Sequence, residues 1–205
     1  MRPARLVSNA RRAAQRLLVP DHDQQWARVV MDRSIDEHLG AMEPARRRAL
    51  EVSGEAHRAR GWATYDSWTF PAFDVCAPLP ADHERFDVVI AEQVLEHVVD
   101  PLGGLVNLRK LATPGGWVVV STPFLLRLHH EPIDYWRFTP DGLRHLAARA
   151  GLEVDTVGHW GNRRCIKANF DGWALRRRWS SLEDEPDLPV VVWLVARAPG
   201  GEPPA

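Results

Sequence analysis

Residues 86–124 read FDVVIAEQVLEHVVDPLGGLVNLRKLATPGGWVVVSTPF, and this stretch decides the fold. Phe86–Ile90 is apolar but for Asp87, the pattern of a strand buried on both faces. It runs into Glu92-Gln93, then Leu95-Glu96-His97 and a helical segment. Pro114-Gly115-Gly116 turns the chain into a second apolar run, Trp117–Ser121. Strand, helix and strand in this order form one βαβ unit of a parallel sheet.

The same alternation extends in both directions. Upstream, short strands are expected at Ala49–Val52, Trp62–Tyr65 and Ala72–Val75, the last ended by Cys76-Ala77-Pro78. Downstream, Pro140-Asp141-Gly142 opens a helix that runs to Ala150 and stops at Gly151. A strand at Leu152–Val157, a helix at Lys167–Trp179 and a strand at Val190–Ala196 complete the series. This predicts an α/β doubly wound, Rossmann-like sheet, mostly parallel, with helices on both faces. Before it, Gln24–Leu39 has Trp26, Val29, Val30 and Leu39 on one helical side. Leu6, Ala10, Ala13, Leu17 and Leu18 repeat that spacing in an arginine-rich stretch. Pro199–Ala205 is expected to be a disordered tail.

Composition limits the function classes. The chain has 205 residues, 45% hydrophobic and 26% charged, enough for one sizeable core. A net charge of −1 gives no global electrostatic case for nucleic acid or an acidic membrane. Two cysteines, Cys76 and Cys165, suggest no disulfide framework, and a reducing, cytoplasmic setting is expected. No apolar run approaches bilayer length. Arg2, Arg5, Arg11, Arg12 and Arg16 resemble a transit peptide or basic surface helix, but a plain amphipathic helix is the simpler reading. No nucleic-acid or membrane partner is expected, and the oligomeric state is expected to be a monomer or homodimer.

The combination FDVV, LEH and PGG at these spacings resembles the second half of class I S-adenosylmethionine-dependent methyltransferases. A later segment, His129 to Pro140 (HHEPIDYWRFTP), resembles the PxDYWRFT loop of a methyltransferase subgroup acting on sugars and natural products. The resemblance implies a seven-stranded sheet with its last strand inserted antiparallel. It divides the chain into an N-terminal helical lid (1–45), a methyltransferase-like α/β domain (46–198) and a tail (199–205). It also implies methyl transfer to a small acceptor, with O-methylation favoured.

The cofactor half departs from the family. The first strand and turn read Ala49-Leu50-Glu51-Val52-Ser53-Gly54-Glu55-Ala56-His57. Glu51 matches the strand-end acid, but Ser53, Glu55 and His57 stand where glycines are usual. Gly54, one position out of register, can supply a positive-φ residue. The cofactor-binding candidates are Glu51, Val52, Ser53, Gly54, Asp66, Asp74, Val75, Glu92 and Gln93. Asp66 is the candidate for the ribose hydroxyls, since a carboxylate accepts from both members of a diol. Asp74 is the candidate near the adenine amino group.

The acceptor side should lie beyond the carboxyl ends of the strands. His129, Tyr135, Trp136, Arg137 and Asn162 are the substrate-binding candidates. His130 is the first candidate base for a hydroxyl acceptor and His97 the second. No metal site is expected, because His129, His130 and Glu131 are adjacent and extended neighbours point opposite ways. Two alternatives remain: a catalytically inactive methyltransferase-like binding protein, or a non-methylating cyclisation or elimination on the same fold.

Overall fold

The computed structural model describes residues 24–130 and 132–200. Helix α1 (Val29–Ala41) leads into strand β1 (Arg48–Val52) and strand β2 (Thr64–Trp68). Strand β3 (Phe86–Glu92), helix α2 (Pro101–Leu111) and strand β4 (Ala112–Pro123) form the unit quoted above. Helix α3 (Pro140–Arg149), strand β5 (Glu153–Trp160), short helix α4 (Arg163–Ala168) and strand β6 (Val191–Arg197) follow. The six strands lie in the order β2-β1-β3-β4-β6-β5. β2, β1, β3 and β4 are parallel, and β6 is inserted antiparallel to both β4 and β5.

The sheet separates two apolar layers. On one face, Leu105, Leu108 and Leu111 of α2 and Leu143 and Ala147 of α3 pack with Leu50, Val89, Val118, Val120 and Leu194. On the other, Met31, Ile35 and Leu39 of α1 pack with Val88, Ile90, Val119, Trp193 and Val195. Met31, Ile35 and Leu39 are fully buried, so the described part of the expected lid, residues 24–45, contributes to the core of the sheet. The expected helix through Leu6–Leu18 lies outside the described residues.

Caps and turns follow from residue chemistry. Asp100 caps α2 through the Gly103 N–H, and Pro101 occupies its first turn. Thr139 does the same for α3 through Gly142. Gly115 takes φ 77° within the long strand β4, where the register against β3 shifts.

Several boundaries differ from the expectation. The helix expected over Gln24–Leu39 starts with a 3-10 turn at Trp26–Arg28 and is α-helical only from Val29. The second strand is displaced towards the C-terminus, from Trp62–Tyr65 to Thr64–Trp68, because Trp62 turns into the core and donates to the His57 carbonyl. Ala72–Val75 is not a strand, so among the described residues the sheet has six strands rather than seven. Phe73 N–H bonds Thr69, and the Val75 and Ala77 carbonyls accept from the buried Asn107 side chain of α2 at 2.8 Å each. Backbone groups satisfied by a side chain have no need of a ladder partner. The helix expected at Lys167–Trp179 is instead Arg163–Ala168. Asn169 ends it by accepting from Ala174 N–H, after which residues 174–176 extend along residues 24–26. Of the expected tail, Pro199 and Gly200 are described, and the Pro199 carbonyl accepts from Arg109.

Candidate active site

Strand order reverses at β1, between β2 and β3, the place where open α/β sheets hold ligands beyond the carboxyl ends of their strands. A cavity of about 400 Å³ lies there. Its wall takes Val52 and Ser53 from the end of β1, Asp74 and Val75 from the irregular segment, and Gln93 and Val94 from the end of β3. It continues past His97 to Ile133 and Tyr135 of the loop after β4. Five of the nine cofactor candidates therefore meet at one wall: Val52, Ser53, Asp74, Val75 and Gln93.

The β1 turn is held from below. Glu51 is buried, and its carboxylate accepts from the Ala56 and His57 N–H groups at 2.9 Å each and from the Tyr65 hydroxyl at 2.7 Å. Those bonds use Glu51 to shape the loop, so it supports the cavity rather than lining it. Burial, followed by the bond to Glu51, pushes the Tyr65 hydroxyl pKa well up, keeping it a donor. The left-handed residue is Ser53, at φ 61°, and not Gly54. Gly54 is required for a different reason: a Cβ there would lie 2.5 Å from Glu51 Oε1. The turn thus keeps its shape although serine, glutamate and histidine replace glycines.

His57, which had no obvious place in the family pattern, is buried beneath the turn. Its Nδ1 accepts from Arg60 Nε at 3.0 Å, which leaves Nε2–H to face Glu92 Oε1 at 2.5 Å. Arg28, just before α1, donates to the other Glu92 oxygen at 2.7 Å. Burial opposes the Glu92 charge, but the His57 bond and Arg28 outweigh it and hold the carboxyl below its ordinary range. Glu92 is engaged by these groups and is absent from the cavity wall. Asp66 is also displaced: it is exposed mid-strand, opposite Leu50, because β2 begins two residues later than expected.

On the acceptor side, His97 and Tyr135 reach the cavity. His97 Nδ1 lies 2.6 Å from the Ile133 carbonyl, which only accepts, so Nδ1 carries the proton and Nε2 the lone pair. His130 is exposed and absent from the wall. Trp136 donates to the Val98 carbonyl at 2.8 Å, pinning its loop to the one after β3. Arg137 clamps Asp134 with two nitrogens, and Asp134 accepts from the His129 N–H. Burial works against the Asp134 charge, but the Arg137 and His129 bonds prevail and hold its pKa at about 2. Asn162 is buried at the start of α4, where it accepts from Cys165 N–H and donates to the Ser181 and Glu183 carbonyls. It is a cap rather than a cavity residue.

Sequence reasoning missed the apolar wall made by Phe70, Phe73, Val98 and Val99. It also missed Glu96, which is fully buried with no hydrogen-bond partner on either carboxyl oxygen. Burial pushes that carboxyl up to about 8. The available signal was an acid beside His97, the pair flanked by Val94-Leu95 and Val98-Val99.

Comparison with known proteins agrees with this geometry. A family described as "Methyltransferase domain" matches residues 16–157. The chain belongs to that family, the class I S-adenosylmethionine-dependent methyltransferases. A ubiquinone biosynthesis O-methyltransferase of Cereibacter sphaeroides (strain ATCC 17025) is 40% identical over 98 residues, which cover 39% of this chain and 40% of that protein. A protein of the same name from Thiobacillus denitrificans is 31% identical over 127 residues, covering 54% and 53%. The chain thus spans about two-fifths to half the length of these curated relatives. The fold is shared with the glycopeptide N-methyltransferase MtfA complexed with S-adenosyl-L-homocysteine, at TM-score 0.51 and 13% identity over 81% of this chain and 89% of that one. It is shared equally with the [4+2]-cyclase SpnF, at TM-score 0.51 and 17% identity over 83% and 81%. Among the described residues no helix is long and apolar enough to cross a membrane.

Proposed function

We propose that this chain transfers the methyl group of S-adenosylmethionine to a hydroxyl of a small, largely apolar acceptor. The observation that carries this reading is the single cavity joining the ends of β1 and β3 to the loop after β4. Cofactor-side and acceptor-side residues thereby share one space. The names of the curated relatives support oxygen as the acceptor atom.

When bound, S-adenosylmethionine supplies a methyl group already activated on a sulfonium. The residues present fit it: the turn keeps its tight path at Ser53 and Gly54, and Asp74 offers a carboxylate at the wall. Val52, Ser53, Asp74, Val75 and Gln93 would hold it. Phe70, Val99, Ile133 and Tyr135 would close the mouth against water and favour an apolar acceptor. His97 would orient the acceptor hydroxyl. Holding the reacting groups in line and dry is the main task left to the protein.

The test combines calorimetry with S-adenosylmethionine and mass-spectrometric detection of methylated product across phenolic and sugar acceptors. Cofactor binding, with turnover reduced in His97→Ala at unchanged cofactor affinity, is the expected result. His130→Ala, outside the cavity wall, is the comparison and should retain turnover. Absence of binding at millimolar cofactor would refute the proposal. Binding without methylated product would favour the inactive binding protein or the cyclisation alternative.

A further inference from the structure

Two neighbouring side chains and a third from a distant loop meet beside the cavity, whose wall includes one of them, His97. Glu96 and His97 follow β3, and His129 follows β4. Each offers one ligand-type atom, and these atoms lie within 4.8 Å of one another. Nε2 of His97 is 3.7 Å and Nε2 of His129 is 3.9 Å from the same oxygen, Oε1 of Glu96. We propose that Glu96, His97 and His129 form a binding site for a divalent cation of the zinc and cobalt class.

Three independent features support the assignment. The first is Glu96 itself. A fully buried carboxyl with both oxygens lacking a donor is costly, and it is the group a cation would satisfy. The second is the orientation of the imidazoles. His97 Nδ1–H is tied to the Ile133 carbonyl, which turns the Nε2 lone pair towards Glu96. His129 Nδ1 stands 3.2 Å from Asp134 Oδ2, a charge contact rather than an aligned hydrogen bond, while Arg137 fixes Asp134 from its other side. Metal-bound histidines characteristically place the second ring nitrogen against a carbonyl or a carboxylate in this way. The third is enclosure. The two rings meet edge to face at 4.8 Å, and Trp173 covers His129 at 5.3 Å.

The donor set selects the ion. Two imidazoles and one carboxylate suit zinc, cobalt or nickel, whereas magnesium and calcium prefer all-oxygen shells. Ligand atoms of a tetrahedral zinc with ~2.0–2.1 Å bonds lie roughly 3.3 Å apart, so the two Glu96–imidazole separations need to close by about half an ångström and the imidazole pair by up to about 1.5 Å. Three protein ligands leave a fourth position open, the arrangement of reactive rather than purely structural sites. His97 borders the cavity, so an acceptor oxygen or a water can take that position. This use in holding the acceptor rests on the methyl-transfer reading; the ion site itself does not.

The experiment is calorimetric titration of the full chain with Zn2+ and separately with Mg2+, together with the visible spectrum of the Co2+-loaded protein. Glu96→Gln and His129→Ala are compared with the parent, each first shown to be folded by its thermal transition. Expected are Zn2+ binding at one site, Co2+ bands of low coordination number, and loss of at least about tenfold in affinity in either variant. Asp134→Asn should weaken binding about 10–100-fold. If His129→Ala does not fold, Glu96→Gln alone decides. No Zn2+ heat and no Co2+ bands in the parent overturns the proposal. So does parent-like affinity in a folded Glu96→Gln, or Mg2+ binding as tightly as Zn2+. S-adenosylmethionine binding measured without added metal reports separately on the methyltransferase reading.

Discussion

Replacing Gly54 by alanine tests the account of the β1 turn. Gly54 does not occupy the left-handed region, so backbone conformation alone permits alanine. By itself that change would stabilise the chain by about 0.4–1 kcal/mol through the unfolded state. The contact reverses the sign. The added Cβ would lie 2.5 Å from Glu51 Oε1 and 3.4 Å from its Cδ. Glu51 is only 2% exposed, so its carboxylate has no solvent into which to move. Displacing it strains the core, at about 1–3 kcal/mol, and weakens charge-assisted bonds worth about 1.5–3 kcal/mol each. A net loss of roughly 2–4 kcal/mol follows, because the bonds stretch rather than vanish. At ~2–4 °C per kcal/mol for a chain of this size, the thermal midpoint should fall by roughly 5–15 °C. The assay is scanning fluorimetry with and without S-adenosylmethionine, and the cofactor-induced shift should shrink as well. A Gly54→Ala protein melting within about 1 °C of the parent would falsify the role given to Glu51.

Four further outcomes follow from the same structure. Tyr65→Phe removes the hydroxyl bond to the buried Glu51 carboxylate and should cost about 1.5–3 kcal/mol in denaturant unfolding; an unchanged midpoint would show the bond to be incidental. Ser53→Gly relieves a non-glycine left-handed residue and should stay within about 1 kcal/mol of the parent, whereas Ser53→Val should be clearly less stable. Gly158→Ala would place a Cβ 2.2 Å from the Trp193 ring, so it should lower stability by at least about 1–3 kcal/mol and disturb near-ultraviolet dichroism; a native spectrum would contradict the packing. Cys165 is fully buried, and burial pushes its thiol up to about 12, so alkylation followed by mass spectrometry should label it only after unfolding.

The fold was legible because its evidence is local and periodic. Phe86–Ile90 and Trp117–Ser121 are apolar apart from Asp87 and Ser121, the pattern of a strand covered on both faces, and β3 and β4 contain them. Pro140-Asp141-Gly142 marks a helix start by residue chemistry alone, and α3 begins at Pro140. Val52, Ser53, Asp74, Val75 and Gln93, candidates drawn from the family resemblance, lie at one cavity wall. Features decided by partners distant in the chain were not legible. Ala72–Val75 has strand-like composition, but Asn107 takes its carbonyls. Lys167–Trp179 has helical spacing, but the 24–26 segment holds its second half extended.

The site divides along the same line. Sequence alone determined which residue types follow each strand, because strand, turn and helix signals lie within a few residues of the groups they position. It ranked His130 before His97 as the candidate base and set His129 with the acceptor, but adjacent residues differ only in which way the backbone turns them, which the sequence does not show. Tertiary structure exposed His130, placed His97 at the cavity and brought His129 beside Glu96 from a loop more than thirty positions away. It also gave His57 a partner in Glu92 and set Glu51 to hold the turn. A side chain's protonation, pairing and reach depend on what surrounds it in space, and for these residues the neighbours belong to other strands and loops.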